Sequence, residues 1–413
     1  MRLFTFSEVI TDATSKFRKI KVSEYKTEGR FKIIDQGQKE IAGYTDDESL
    51  INKTHTPIII FGDHTRALKY EESPIALGAD GAKALSVNPT LANALYVYYY
   101  LRTINLKAAG YSRHFKFLRQ VEIPIPEKDG EPDFDDQKRI AHLLGKVEGL
   151  IARRKQHLQQ LDDLLKSVFL EMFGDPVRNE KNHNISTLAP YITHLTSGGR
   201  GWARYYSDTG KRFIRSLDVQ MNAIGSDDVV YVTPPNNKET ERTRVIPGDV
   251  LLTITGSKIG RVCSVPQDFE EAYISQHVAI VRTKGINTVY LSFYLSMPAC
   301  GQRTIAKQQY GQAKPGLNLT QIQNFEIIDP DIDLQNHFAA IVEKVDTLKS
   351  RYQQSLTDLE SLYGALSQKA FKGALDLSRV VLPVESTTED TESTEEMNRE
   401  TREERESKAG VAV

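Results

Sequence analysis

The chain has 413 residues, more than one hydrophobic core usually holds, so two or more domains are expected. Its 26% charged and 39% hydrophobic residues suit a soluble globular protein, and with no run of 18 apolar residues and no amino-terminal signal pattern a membrane-spanning or secreted chain is not expected. The two cysteines, Cys263 and Cys300, make neither a metal-ligand set nor a disulfide framework, which fits a reducing cytoplasm, and the formal net charge of −2 excludes a strongly basic coat.

Residues 1–130 read as a first mixed domain. Strand-like runs are Phe31–Ile34, Pro57–Phe61 and Val121–Ile125, and a helical stretch near Pro89–Thr103 carries Tyr96, Tyr98, Tyr99 and Tyr100. Pro126–Asp133 is a Pro, Gly and charge-rich linker that delivers the chain into a long helix over 134–175, ended by Gly174-Asp175-Pro176. Residues 177–330 form a second mixed domain, and a second long helix follows over 332–373. Glu385–Val413, with ten acidic and four basic residues and few apolar ones, reads as a disordered acidic tail that leaves the body at +4.

The long helices are copies. Phe134–Asp175 aligns without a gap on Ile332–Gly373 at a shift of 198, with eleven identical pairs that include Asp135/Asp333, Gln137/Gln335, Val147/Val345 and Leu161/Leu359. A heptad seam runs through Leu143, Val147, Leu150, Leu161, Leu164 and Val168 in the first copy. In the second it runs through Ile341, Val345, Leu348, Tyr352, Leu359, Leu362 and Leu366. The polar seam positions Arg154 and His157 fall on Tyr352 and Ser355, so an antiparallel pair would set centre against centre. The mixed domains repeat as well: Gly110, Leu118, Gln120 and Val121 match Gly311, Leu319, Gln321 and Ile322 at a shift of 201, and Tyr96–Leu101 matches Tyr290–Leu295 at 194. The expected fold is α+β: two globular mixed domains separated by two long antiparallel coiled-coil helices, with a pseudo-twofold internal repeat.

Two similar heads on one spacer suit a partner with two sites at fixed separation, and double-stranded DNA is the commonest. In the second head, Gly198–Tyr206 combines glycines with Arg200, Arg204, Tyr205 and Tyr206, followed by Lys211, Arg212 and Arg215. Pro247–Val262 reads as two strands around a Gly256–Gly260 turn bearing Lys258 and Arg261. Arginine can bridge guanine O6 and N7 or grip a phosphate, and tyrosine can stack. In the first head the candidates are His64, Arg66 and Lys69 beside Gly62, and Arg113 and Lys116 around His114; Arg113 falls opposite Lys314 at the 201 shift. A solvated surface charge is the plain reading of each lysine or arginine alone, and their gathering in glycine-rich turns favours binding.

In this order Phe-Gly-Asp-His-Thr-Arg at 61–66, Gly-Arg-Gly-Trp-Ala at 199–203, Gly-Asp-Val-Leu-Leu-Thr at 248–253, Gly-Arg-Val at 260–262, Ser-Gln-His-Val-Ala at 275–279 and the twin helices resemble the specificity subunit of type I restriction-modification enzymes. The resemblance covers about residues 10–373. It implies two target-recognition domains that each read half of a split DNA sequence, and conserved helices that set the unread gap and dock two modification subunits. S-adenosylmethionine, ATP and Mg are then expected on the modification and the restriction (motor-nuclease) subunits, with no cofactor on this chain.

Screens for catalysis favour a non-enzyme. The single Pro-Pro, Pro234-Pro235, lacks the flanking residues of an amino-methyltransferase loop, and neither a P-loop nor a His-Glu-x-x-His pattern occurs. No catalytic or metal residues are expected. Glu24-Tyr25-Lys26 has the acid-x-Lys spacing of nuclease metal sites, a spacing common by chance. A coiled-coil scaffold that binds only proteins and a metal-dependent nuclease using Glu24 and Lys26 are the alternatives.

Overall fold

The computed structural model describes residues 1–52, 56–78, 81–106, 113–309 and 316–382. The acidic tail from Glu385 and the loop carrying Lys314 lie outside the described residues. The chain forms two compact units, Met1–Arg153 with the chain from Ser355 onward, and Arg154–Gln354. The division falls in the middle of both long helices, Phe134–Phe173 and Ile332–Phe371, so each unit holds a half of each.

Both units are mixed α and β, and their four-stranded sheets repeat strand for strand. In the first, Ile10–Asp12, Ala82–Val87, Ile58–Gly62 and Leu68–Glu71 form a four-stranded antiparallel sheet in that order. In the second, Ile192–Ser197, Val278–Thr283, Val250–Thr253 and Val262–Ser264 form the same order. A second sheet is centred on Ile75–Gly78, parallel to Phe31–Ile34 and antiparallel to Ile51–Asn52. Its counterpart is centred on Ala272–Ile274, parallel to Lys211–Ile214 and antiparallel to Arg244–Val245. Central strands of these sheets read as unbroken apolar runs because both faces are covered; Ile58, Ile59, Ile60 and Phe61 are all fully buried.

A short helix in each unit fastens head to spacer. Asn93 caps Ala94–Thr103 by accepting the Tyr96 N–H, and Asn287 caps Thr288–Ser296 by accepting those of Val289 and Tyr290. The Tyr96 hydroxyl donates to Pro124 O at 2.6 Å, and its mate Tyr290 donates to Ile328 O at 2.9 Å. In the second unit Phe169, Phe173, Tyr290, Phe293 and Phe338 interlock, with Phe169 to Phe338 centroids 5.4 Å apart. In the first, Phe371 packs on Tyr96 at 5.4 Å and on Tyr100 at 5.2 Å.

The helix halves run antiparallel. Arg154 sits 4.3 Å over the Tyr352 ring and His157 5.7 Å from it, so the polar centres meet, while Lys349 pairs with Asp162 at 2.6 Å farther along. The inward stripe keeps most of the heptad expected from the sequence and departs from it at four leucines. Val147 and Val345 are buried and Leu143, Leu161, Val168, Ile341, Tyr352, Leu359 and Leu366 partly so. Leu150, Leu164, Leu348 and Leu362 are 48, 48, 41 and 46% exposed and do not pack in the seam. Leu144, Leu165, Val342 and Leu356 take the inward places. Leu143-Leu144 and Leu164-Leu165 allow two frames with the same step of four and three. Leu165 and Val342 share the core of the second unit with Phe169, Phe173 and Phe338, and Leu144 shares that of the first with Tyr96 and Tyr99.

Candidate nucleic-acid interface

One junction recurs at the end of the four-stranded sheet in each unit. In the first, the hairpin turn after Gly62 is closed by Gly62 N–H to Ala67 O and Arg66 N–H to Gly62 O, at 2.8 and 2.7 Å. Asp63 N–H then donates to Gly81 O at 2.7 Å, and His114 N–H donates to Asp63 O at 2.8 Å, drawing three loops together. In the second unit the turn after Thr253 is closed by Thr253 N–H to Arg261 O and Gly260 N–H to Thr253 O, at 2.8 and 3.0 Å. Ile254 N–H donates to His277 O and Leu317 N–H to Ile254 O, both at 2.9 Å. The second turn is longer by three residues, which is why its glycines and cations could not be aligned with those of the first by sequence.

Arg66 takes the place that Gly260 holds in the second turn, and both have positive φ, 62° and 90°. A left-handed backbone costs a non-glycine residue about 1 kcal/mol or more, so an exposed arginine here is retained against its backbone preference. Its guanidinium donates to Leu106 O at 2.9 Å and lines a cleft of about 360 Å³ with Gln38, Thr65 and Asn105. His64, half-buried, faces Gln36 Oε1 at 3.1 Å. Arg113 and Lys116 are exposed beside this turn, Lys116 lying 4.9 Å over the Phe117 ring.

Lys69 does not belong to this surface. It is 3% exposed, its ammonium donates to Asp35 O at 2.9 Å, and burial pushes its pKa below the ordinary lysine range. Its position on a strand that pairs with Ile58–Gly62 turns the side chain into the unit rather than onto the turn.

In the second unit Lys258 and Arg261 stand half-exposed on the turn, without side-chain partners among the described residues. Arg200 and Arg204 are exposed in the segment after Gly198, where a Cβ would collide with the backbone of Ile274 and Ser275. Trp202 anchors that segment by stacking on Phe213 and Tyr273 at 5.2 and 5.5 Å, while its Nε1–H donates to Glu239 at 3.1 Å. Tyr205 supports Arg204, whose guanidinium is 4.8 Å above its ring, and Tyr206 is 47% exposed. Arg212 is corrected to a structural role. It is buried, donates to Gly225 O, pairs with Glu270 at 3.6 Å and lies over Phe269. Lys211 is exposed and held by Glu271 at 2.7 Å, a hydrogen bond that lowers the Glu271 pKa.

Gln276 and His277 enter as residues that sequence reading quoted only within a motif. They reach the turn because the loop between two sheets is pinned there by Ile254, a link the spacing of the segments does not reveal. Glu24 and Lys26 have other roles: Glu24 accepts from Lys21 N–H at 3.3 Å, and Lys26 pairs with Asp46 at 2.8 Å. Among the described residues no group of three or more His, Cys, Asp or Glu could hold a metal, and no helix is long and apolar enough to cross a membrane.

Two units built to one plan, each with a basic turn and each fastened to a half of both long helices, make this an internally duplicated protein of the mixed α and β class. Residues 208–359 match the family model described as the type I restriction modification DNA specificity domain. The EcoR124I/EcoR124II specificity subunit of Escherichia coli is 22% identical over 358 residues, covering 82% of this chain and 84% of that one. The MjaVIII specificity subunit of Methanocaldococcus jannaschii is 20% identical over 249 residues, 56% and 57% of the two chains. A crystal structure of a type I restriction-modification S subunit from M. genitalium superposes with a TM-score of 0.60 at 14% identity, covering 90% of this chain and 96% of that one. Residues 208–359 thus match the specificity-domain model, and over most of its length the chain is similar to specificity subunits of type I restriction-modification systems.

Proposed function

We propose that the chain is a non-catalytic subunit that reads a bipartite double-stranded DNA target, one half with each head. The observation that carries this reading is the recurrence of the same three-loop junction in both units, with Arg66 on one turn and Lys258 and Arg261 on the other. Cations on a rigid turn neutralise phosphates, and guanidinium groups also match base edges. In this reading the long helices set the unread gap.

The helices also dock two modification subunits, and restriction subunits join that complex. The exposed leucines support this: Leu150 and Leu348 are repeat mates, as are Leu164 and Leu362, and each unit holds one such leucine on each helix. A duplicated apolar patch suits a partner present twice. S-adenosylmethionine, ATP and Mg act on those partners.

Long-read methylation mapping of DNA from cells expressing this chain with a modification subunit, against cells lacking the chain, tests the reading. A split adenine motif that disappears without the chain is expected. A motif independent of the chain, or none, would leave a protein-binding scaffold, which lacks the salt-dependent DNA binding of a reader.

A further inference from the structure

The turn of the second unit carries a polar relay that sequence spacing does not reveal. His277 is hydrogen-bonded through Nδ1 to Thr255 Oγ1, and its Nε2 lies 3.1 Å from the amide nitrogen of Gln276. An amide nitrogen only donates, so His277 Nε2 accepts, the ring proton sits on Nδ1, and that proton is given to Thr255 Oγ1. The Thr255 hydroxyl proton is then left to donate away from the ring. Gln276 Oε1 and, one residue before it, Ser275 Oγ are buried with no partner. Buried polar atoms are ordinarily paired, so unpaired ones gathered at an exposed turn mark a place where a ligand or its water completes the set. Lys258 and Arg261 belong to the same turn as Thr255.

We propose that the Thr255–His277–Gln276 relay, together with Arg261 of the same turn, makes the second head specific for a guanine at one position of its half-site. The inference rests on the DNA-recognition reading above. A hydroxyl donor and a guanidinium on one turn suit two acceptors side by side, which guanine offers as O6 and N7 in the major groove. Adenine presents a donor at the O6 position, so a relay whose polarity is set by Gln276 rejects it. A phosphate would satisfy the same donors, and the two sources differ in what their loss does: a lost base contact changes one position of the motif, and a lost phosphate contact weakens every site alike.

The test maps methylation in cells carrying the complete complex with the parent chain, with Thr255→Val, which keeps the side-chain shape without the hydroxyl, or with Gln276→Glu. A glutamate accepts from His277 Nε2–H, reverses the ring tautomer and turns the Thr255 proton inward. Thr255→Val is expected to relax one guanine position in one half of the motif, with roughly 5- to 100-fold less discrimination there. Gln276→Glu is expected to move preference away from guanine at the same position. The other half and the gap stay as in the parent, and thermal unfolding of the purified variants stays at the parent's. An unchanged motif with either variant overturns the proposal, as does a uniform fall in methylation or relaxation at different positions. A parent chain on which no motif depends overturns the recognition reading itself.

Discussion

Gln335, fully buried at the start of the second long helix, accepts the backbone N–H of Asn287 at 2.9 Å. Its repeat mate Gln137 accepts that of Asn93 at 2.7 Å. Each amide also donates to a backbone carbonyl, Gln335 to Pro330 at 2.8 Å and Gln137 to Leu91 at 3.2 Å. One side chain thus joins the helix, the loop before it or beside it, and the cap of the short helix. Replacing either glutamine by alanine leaves buried backbone groups unpaired and is expected to cost about 1–3 kcal/mol, read as a lower midpoint in chemical denaturation. A change within about 0.5 kcal/mol would show that water replaces the amide.

Leu164 and Leu165 are neighbours with opposite surroundings, 48% and 1% exposed. Leu165→Ala is expected to cost about 2–5 kcal/mol through the cavity it leaves. Leu164→Ala is expected to change stability by less than about 0.5 kcal/mol and, together with Leu348→Ala, to weaken capture of the modification subunit in a pull-down. Equal losses of stability from the two single variants would place the seam on the Leu164 side after all.

Arg66 and Lys69, three residues apart, separate binding from folding. Arg66→Gly relieves the left-handed arginine and should leave stability within about 0.5 kcal/mol of the parent. It is expected to reduce DNA affinity and to lower the slope of log affinity against log salt by about one. Lys69→Ala removes the buried donor to Asp35 O and is expected to lower the unfolding midpoint. An Arg66→Gly chain that binds DNA with the parent's affinity and salt slope would remove the first turn from the interface.

Cys263 and Cys300 are buried, and burial pushes their thiols up from 9.0 to about 12 and about 11. Because the folded state holds these protons more tightly than the unfolded one, the stability they contribute is complete below pH 9 and is lost as pH rises from 9 toward 12. At pH 8 both thiols are expected to resist iodoacetamide in the folded protein and to react in denaturant, followed by intact mass. Rapid labelling of either cysteine in the folded chain at pH 8 would show that the unit opens locally.

Duplication was legible in the residues because a gapless helix repeat preserves identities on its polar face as well as its apolar one. Gln137 and Gln335 are such a pair, and their identity reflects a hydrogen bond that only this side-chain length makes. Strand positions such as Phe31–Ile34 and the hairpin around Gly256–Gly260 were legible too, since apolar runs and glycine punctuation are local signals. The polar centre of the spacer also followed from the repeat shift, which sets Arg154 against Tyr352 in an antiparallel pair.

What tertiary structure alone decided were choices between locally equal alternatives. Leu143 or Leu144, and Leu164 or Leu165, satisfy the same helical step, and the winner is set by the core each joins, with Tyr96 and Tyr99 for Leu144 and with Tyr290 and Phe338 for Leu165. Lys69 and Arg66 carry the same charge in one basic cluster, and a strand's alternation buries the first while a turn exposes the second. Thr255 and His277 are separated by 22 residues and meet only because the backbone of Ile254 holds the intervening loop. Charge and periodicity are properties of single segments, whereas burial and hydrogen-bond partnership are properties of pairs, and pairs exist only once the chain has closed on itself.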